Sequence, residues 1–465
     1  MQQIVKNASR TATSGRWSIP VAGRWLVPLL VVLFGPMAFL GSYGSGLLVQ
    51  SFIFAIVALI TDIIWGYSGI LTFASAAMFG IGAYALGIVF VHVAPSVLGI
   101  VLALVAAVLT AGILSALIGW LAFYSRTPVS EFYIAVVTLG LSVFFSQVAQ
   151  YGGALTGGSN GLSGFSTIPL SNQTWYLIAA TLLLLSVVVS LRLVTSDFGL
   201  VLRALRDNEQ RCKYVGIHTP LIKTAVFSLC NAAVAAVGVF YALFTTVVAP
   251  SLVGIVLATN VLIWIMLGGR GTIIGPALAA VLVNAATPQL STSMPLYWQG
   301  ILGLAFVLVV VLLPGGLLPA LISIAQRFSS LVLRSERLGW SEPIEPAQMF
   351  DTADEKPADH GREVVLDIRN VSKNYGSFQA LSDVTLAVRR GELLSIVGPN
   401  GAGKTSLVRC ISDGLERGSG SIAICGHSIG RSPPDEIVGL GLGRKFQAAS
   451  VFGHLTVGEC LKIAS

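Results

Sequence analysis

The chain has 465 residues, of which 54% are hydrophobic and 11% charged, against roughly 25% charged residues in ordinary soluble domains. That balance excludes a wholly soluble globular protein and points to a multispanning membrane protein. The net charge of +7 comes from basic residues spread through tails and loops rather than one helix face, which is what membrane insertion asks of cytosolic segments, so no nucleic-acid partner is expected. The cysteines Cys212, Cys230, Cys410, Cys425 and Cys460 form no C-x-x-C pair, so neither a disulfide framework nor structural zinc is implied.

The tail from Met1 to Arg24 is polar and basic, and no A-x-A-like cleavage site follows the first apolar run, which therefore reads as a retained span. On the template of roughly 17 to 25 apolar residues per span, ten runs qualify. Eight are long: Trp25 to Gly41, Leu47 to Trp65, Ile70 to Val93, Val97 to Phe123, Phe132 to Tyr151, Trp175 to Leu193, Thr224 to Val247 and Ile301 to Leu318. Two shorter ones, Gly254 to Leu267 and Ile273 to Ala286, are split by Gly268-Gly269-Arg270-Gly271-Thr272 and read as two tilted spans or a re-entrant pair. Positive residues alternate between connections, and the connections 152–174, 248–252 and 288–297 carry no charge. Both counts place the two termini in the cytosol. Small residues four apart, Ala76 with Gly80 and Ala83 with Gly87, suit close helix packing. Asp62, the only acid within a span, reads as an interfacial carboxylate rather than a proton relay.

Within the cytosolic segment Phe198 to Tyr214, Phe198, Val201, Leu202 and Leu205 recur at helical spacing, opposite Arg203, Arg206, Asp207 and Glu209. Such a helix lies on a membrane surface or docks into a partner groove. From Ser329 to Arg362 the chain turns polar and proline-bearing and reads as a linker. Short β-like runs follow, Val364 to Val371, Val384 to Val388, Leu393 to Val397 and Ser421 to Cys425, so a soluble α/β domain is expected from Glu363. Its centre is Gly398-Pro399-Asn400-Gly401-Ala402-Gly403-Lys404-Thr405-Ser406, a full G-x-x-x-x-G-K-[ST] loop between an apolar run and a helix pattern. Backbone N–H groups there cradle phosphates, with Lys404 on the β/γ-phosphates and the Thr405 hydroxyl on Mg²⁺.

The surroundings narrow this reading. Val371-Ser372-Lys373-Asn374-Tyr375-Gly376, Ala380-Leu381 and Gly391-Glu392 resemble the opening of an ABC-transporter ATPase, and Gly443-Arg444-Lys445-Phe446-Gln447 with Leu455-Thr456-Val457-Gly458-Glu459 resembles its Q-loop and the following helix. The resemblance implies that Tyr375 stacks on adenine and that Gln447 approaches Mg²⁺ and the attacking water. Upstream, Gly66-Tyr67-Ser68-Gly69, Phe79-Gly80-Ile81-Gly82-Ala83-Tyr84, Val137-Thr138-Leu139-Gly140, the run from Leu155 to Gly164, Phe198-Gly199 to Asn208-Glu209, and Gly268 to Pro276 are similar to the permeases of branched-chain amino acid ABC importers. Asn260 departs from the Glu expected in many relatives. The fold implied is an α-helical polytopic membrane domain of about ten spans followed by a partial α/β ABC ATPase domain. The boundaries are a tail at 1–24, a permease domain at 25–325, a linker at 326–362 and the N-terminal part of an ATPase at 363–465.

The same resemblance implies that Phe198, Arg203, Arg206, Asn208 and Glu209 belong to a coupling helix resting on the ATPase. It implies ATP and Mg²⁺ as cofactors, and as partners a second permease subunit, ABC ATPase subunits, a periplasmic or extracellular solute-binding protein and membrane lipid. The outer loop Tyr151 to Ser171 is expected to help dock the binding protein. The chain is placed in a bacterial inner membrane. After Gln447 there is no LSGGQ-like motif, no apolar strand ending in Asp-Glu and no switch histidine, so the chain alone is expected not to hydrolyse ATP. The function expected is import of a branched-chain amino acid or related small polar solute. The alternatives are a urea or short-chain amide importer and a structural permease partner with an inert nucleotide fragment; a membrane-anchored P-loop kinase or GTPase fits less well, for want of a guanine-reading motif or acceptor site.

Overall fold

The computed structural model describes residues 35, 41–92, 95–124, 131–165, 169–313, 315–320, 363–445 and 452–464. Helix α1 (Ser42–Asp62) runs into a π-helical turn, Ile63–Tyr67, and is followed by α2 (Ala74–His92), α3 (Val97–Phe123) and α4 (Glu131–Tyr151). Strand β1 (Leu162–Ser163) lies in the next loop, before α5 (Asn172–Thr195), α6 (Asp197–Asp207), α7 (Glu209–Lys213) and α8 (Thr219–Thr245). Strand β2 (Val247–Val248) pairs antiparallel with β1, and α9 (Ile255–Gly268), α10 (Ile274–Ser293) and α11 (Trp298–Leu312) complete the helical part.

Among the described residues six helices are long and apolar enough to cross a membrane: 42–67, 74–92, 97–123, 132–151, 172–195 and 219–245. This is fewer than the ten expected runs. The first run, Trp25 to Gly41, falls outside the described residues apart from 35 and 41, as do the tail and the linker. Helix α9 has 14 residues, about 21 Å at 1.5 Å per residue, short of a bilayer core of about 30 Å. Helix α10 carries Pro288 and a polar end, and α11 has 15 residues.

The helices meet through small residues. On α3, Gly99, Ala103, Ala107, Ala111, Ser115 and Gly119 are buried at four-residue spacing, while Leu98, Leu102, Leu109, Ile113 and Leu121 face outward. Where α2 crosses α8, a Cβ at Gly82 would stand 1.9 Å from the Ala235 carbonyl and one at Gly238 would stand 2.0 Å from that of Phe79. The expected small positions on α2 are contacts too: Gly80 abuts Val253 and Gly87 abuts Leu162. Phe54, Phe79, Tyr241 and Trp264 close the centre with ring centroids 5.3 to 5.9 Å apart. Helix ends follow local chemistry: Ser96 caps α3 through the Gly99 N–H and Ser171 caps α5 through that of Thr174.

The second region begins with β3 (Val364–Tyr375) and β4 (Phe378–Arg389), continues through α12 (Lys404–Ser412), β5 (Ser419–Ile424), β6 (His427–Ser428) and α13 (Pro434–Gly439), and ends with α14 (Val457–Ala464). Its sheet is antiparallel, in the order β4-β3-β5-β6. Ile368, Val371, Leu381, Leu407, Cys410, Ile422 and Ile437 form the core between sheet and α12. The expected strand Leu393 to Val397 is not a strand: no described segment pairs with it, and Leu393 and Val397 are 98% and 90% exposed. An apolar run without a partner edge has nothing to satisfy its ladder.

Candidate functional site

The phosphate-binding loop turns on Gly401 and Gly403, at φ +88° and +84°, a region that side-chain-bearing residues rarely adopt. A Cβ at Gly403 would also stand 2.5 Å from the Ala380 carbonyl, where β4 passes beneath the loop. Gly403 provides no side-chain cap to α12, so the first-turn N–H groups from Lys404 to Ser406 are left to the loop's concavity. The Lys404 ammonium donates to the Gly398 and Pro399 carbonyls at 2.6 and 2.7 Å, across the same concavity. Asn400 and Ala402, between these positions, are exposed. This donor set suits a polyphosphate. For Mg²⁺ the loop offers the exposed Thr405 hydroxyl; Gln447 lies outside the described residues, and no cluster of three His, Cys, Asp or Glu occurs among those described. Tyr375 is exposed at the end of β3, paired with Phe378 of β4, with the Lys373 ammonium 4.9 Å from its ring centroid and Glu416 paired to that ammonium at 2.9 Å.

A second constellation lies where α6 and α7 meet the end of the chain. Ala204, Leu205 and Cys212 bury Phe452 among themselves, with Leu455, Cys460 and Ile463 packed alongside. The Arg211 guanidinium lies 5.2 Å from the Phe452 ring centroid. Around this apolar plug, Arg203 pairs with Glu459 at 2.9 Å, Asp207 accepts from the His454 backbone N–H and contacts its Nδ1, both at 2.9 Å, and Lys462 pairs with Asp197. Arg444 stacks on Tyr214 at 5.1 Å and donates to the Tyr214 hydroxyl at 3.1 Å and to Ser412 Oγ, at the end of α12, at 2.7 Å. Thr456 and Glu459 form a reciprocal capping box at the start of α14. Burial acts to raise the Glu459 carboxyl, but the Thr456 N–H and hydroxyl and the Arg203 charge outweigh it and hold it below its ordinary value.

The profile of the family described as branched-chain amino acid transport system / permease component matches residues 44–312, more than half of the chain. The chain belongs to that family. Residues 381–462 match the ABC transporter family, so a permease and part of an ABC ATPase share one polypeptide. Over the ATPase part the chain is 40% identical across 93 residues to the sulfate/thiosulfate import ATP-binding protein CysA of Pseudomonas aeruginosa, covering 20% of this chain and 27% of that one. It is 40% identical across 99 residues to the spermidine/putrescine import ATP-binding protein PotA of Methylococcus capsulatus, 21% and 25% of the two chains. It is 37% identical across 103 residues to the glutamate/glutamine/aspartate/asparagine transport ATP-binding protein BztD of Rhodobacter capsulatus, 22% and 39% of the two. The chain spans about a quarter of the length of the first two relatives.

Within this permease, the five residues expected on the coupling helix divide. Arg203 reaches the ATPase part through Glu459. Arg206 instead turns to the membrane part and donates to the Gly66 carbonyl. Asn208 caps α7 by accepting from the Arg211 N–H at 2.9 Å. Glu209 is held by Lys223, Lys213 and Thr219: burial pushes it up, but the two ammonium groups bring it below its ordinary value. Phe198 is 41% exposed and outside the apolar cluster. Sequence reading missed Asp207, Tyr214, Arg444 and Phe452 as contact residues. The Thr456-x-x-Glu459 box was a legible signal for α14, whereas the partner of Asp207 is 247 residues away and leaves no local trace. Cys212 is fully buried, and burial together with the Glu209 charge pushes its thiol up to about 12.

Proposed function

We propose that the chain is the membrane component of an ATP-driven importer for branched-chain amino acids or related small polar solutes, and that its own ATPase part engages α6 and α7 as coupling elements. The observation that carries this reading is the apolar and ionic seat of Phe452 and Glu459 on the permease segment 203–212. A helix with an apolar face and charged flanks, filled by the segment just past the Q-loop position, is a rigid connection through which one part can move the other. Lys404 and the first-turn amides of α12 hold the phosphates, Thr405 and Gln447 are the proposed Mg²⁺ contacts, and Tyr375 takes the adenine face. When bound, the nucleotide supplies the binding and hydrolysis energy that drives the cycle. A second permease subunit, further ATPase subunits and a solute-binding protein complete the assembly, in an inner membrane with both termini cytosolic. The uncharged loop 151–171 is the proposed docking surface for the binding protein.

A structural-partner reading, in which the nucleotide fragment is inert, is favoured by one observation: the run Leu393 to Val397 leads into the phosphate loop without a strand partner among the described residues. ATP-dependent uptake of leucine, isoleucine and valine into proteoliposomes holding the full chain with its co-purified subunits separates the two, with urea and acetamide as competitors. The importer reading expects accumulation that is abolished by Lys404→Ala. Accumulation unchanged in that variant supports the structural partner, and competition by urea or acetamide moves the substrate class.

A further inference from the structure

Asp62 is fully buried at the point where α1 widens into its π turn. Its carboxylate accepts the Gly271 N–H at 2.8 Å and the Ile273 N–H at 3.2 Å, and so ties α1 to the loop between α9 and α10. The interfacial carboxylate expected from the sequence is thus buried within the protein, with backbone N–H groups as its partners. The loop it holds is under backbone strain. Ile273 sits at φ +61°, ψ −62°, closed by an N–H bond from Ile274 to the Thr272 carbonyl at 2.7 Å, a γ-turn of the rare positive-φ kind on a β-branched, fully buried residue. Such a conformation persists only where its surroundings hold it, and the Asp62 carboxylate on the Ile273 N–H is one of the contacts that do so, beside the close backbone approach of Gly268 and Gly275.

The π turn has two further ties. Arg206 of α6 donates to the Gly66 carbonyl, and Arg270 donates to the Trp65 carbonyl at 3.0 Å while stacking on the Trp65 ring at 5.0 Å. Gly66 is pinned between these groups: a Cβ there would stand 2.2 Å from the Asp62 carboxylate and 2.6 Å from the Gly271 nitrogen. Next to Arg206 in sequence, Asp207 holds His454 of the ATPase part. Direct contacts therefore run from His454 through α6 to the π turn and on to the strained loop. An open cavity of about 530 Å³ lined by Arg206, Asp207, Arg270, Gly453 and His454 lies beside them.

We infer that this junction is the relay between the ATPase part and the membrane helices, with Arg206 and Asp62 as its positioning residues; the inference rests on the importer reading above. Arg206 fixes the π turn to α6, and Asp62 fixes the strained turn to the π turn. Withdrawal of α6 removes the Gly66 anchor, loosens the seat of Asp62 and releases the loop that joins α9 to α10. Two packed states of one junction, rather than a graded deformation, are the physical basis of such a relay.

The test is hydrogen exchange on the full chain with its co-purified subunits in lipid nanodiscs, together with uptake kinetics. Arg206→Met, outside the membrane spans, is expected to raise exchange across 269–275 about tenfold while α14 keeps its protection. It is also expected to lower kcat for uptake at unchanged KM, with partial recovery in Arg206→Lys. Asp62→Asn is expected to loosen the same loop; if that variant does not fold, the Arg206 pair alone decides. Unchanged exchange across 269–275 in Arg206→Met, or raised exchange with unchanged uptake, overturns the relay. Absence of uptake in the unaltered assembly counts against the importer reading instead, and the exchange comparison still upholds or overturns the linkage.

Discussion

On α3 of the membrane part, Val97 and Leu98 are 71% and 68% exposed while Ala103, Ala107 and Ala111 are fully buried; in the ATPase part, Leu393 and Val397 are 98% and 90% exposed above a core of small extent. The two exposures differ in kind because the solvents differ. Outward leucines of a span face acyl chains, and the helix is held by close approach of small residues rather than by burial of large ones. The run 393–397 faces water, where each large apolar side chain gains roughly 1.5 to 3 kcal/mol from burial. Exposure in the first region suits the lipid it would face, whereas in the second it leaves large apolar side chains open among the described residues.

The strongest way to break this contrast is to enlarge a small residue where two membrane helices touch. Gly82→Leu drives a side chain into the Ala235 carbonyl 1.9 Å away, and backbone has no rotamer with which to yield. The expected loss exceeds the roughly 1 to 3 kcal/mol of ordinary overpacking, read as a collapse of the thermal midpoint in detergent. A midpoint equal to that of the unaltered chain contradicts the backbone crossing. Next comes the water-side contact between the parts. Phe452, 4% exposed, is the single aromatic in its cluster, and Phe452→Ala is expected to cost about 3 kcal/mol of docking, seen as loss of amide protection across 452–464 with the membrane helices unchanged.

Acid separates the two regions in another way, because it strikes the ionic rim before the packing of small residues where the helices cross. Glu459, which faces Arg203 across the contact, and Glu209, held by Lys213 and Lys223 within the permease part, both lie below the ordinary value of 4.5 when folded. Their contribution is therefore complete above pH 4.5 and is lost as pH falls through the lowered folded values. Protection of 452–464 should hold from neutral pH down to 5 and fade below about 4.5, ahead of the membrane helices. Protection independent of pH down to 3 would remove the ionic rim from the account. The smallest effect is expected at the uncovered run: Val397→Asp should shift the stability of the isolated chain by no more than about 0.5 kcal/mol, and a larger loss in the assembled transporter would reveal that a partner covers it.

The helical part was legible because span length and small-residue spacing are local properties; nine of the ten apolar runs coincide with described helices, from Ser42–Asp62 to Trp298–Leu312. Span number is less directly read: six described helices have the length and hydropathy of a span, α9 and α11 are short, α10 carries Pro288 and a polar end, and the first run lies outside the described residues apart from 35 and 41. The phosphate loop was legible from Gly398 to Thr405, since its backbone needs glycine at fixed positions. Its preceding strand was misread: an apolar run states a preference for burial, and the neighbour that satisfies it lies elsewhere. The docking surface was half legible. Helical spacing exposed Leu205 and Arg203, but Arg206 points to Gly66 and Asp207 to His454, a division that depends on which bodies flank the helix. The partners of Asp62 were illegible for the same reason, since they are backbone N–H groups 209 and 211 residues away.

If the ATPase part drives the permease through its contact with α6 in the same chain, exchanging the two charges of that contact must matter to transport. Arg203→Glu places two carboxylates where the 2.9 Å ion pair stands, and Glu459→Arg alone places two guanidinium groups there. Each single variant is expected to lower ATP-dependent solute uptake in proteoliposomes, and the double variant Arg203→Glu with Glu459→Arg is expected to restore most of it. Uptake that is indifferent to either single change, or that stays low in the double variant, would contradict the account.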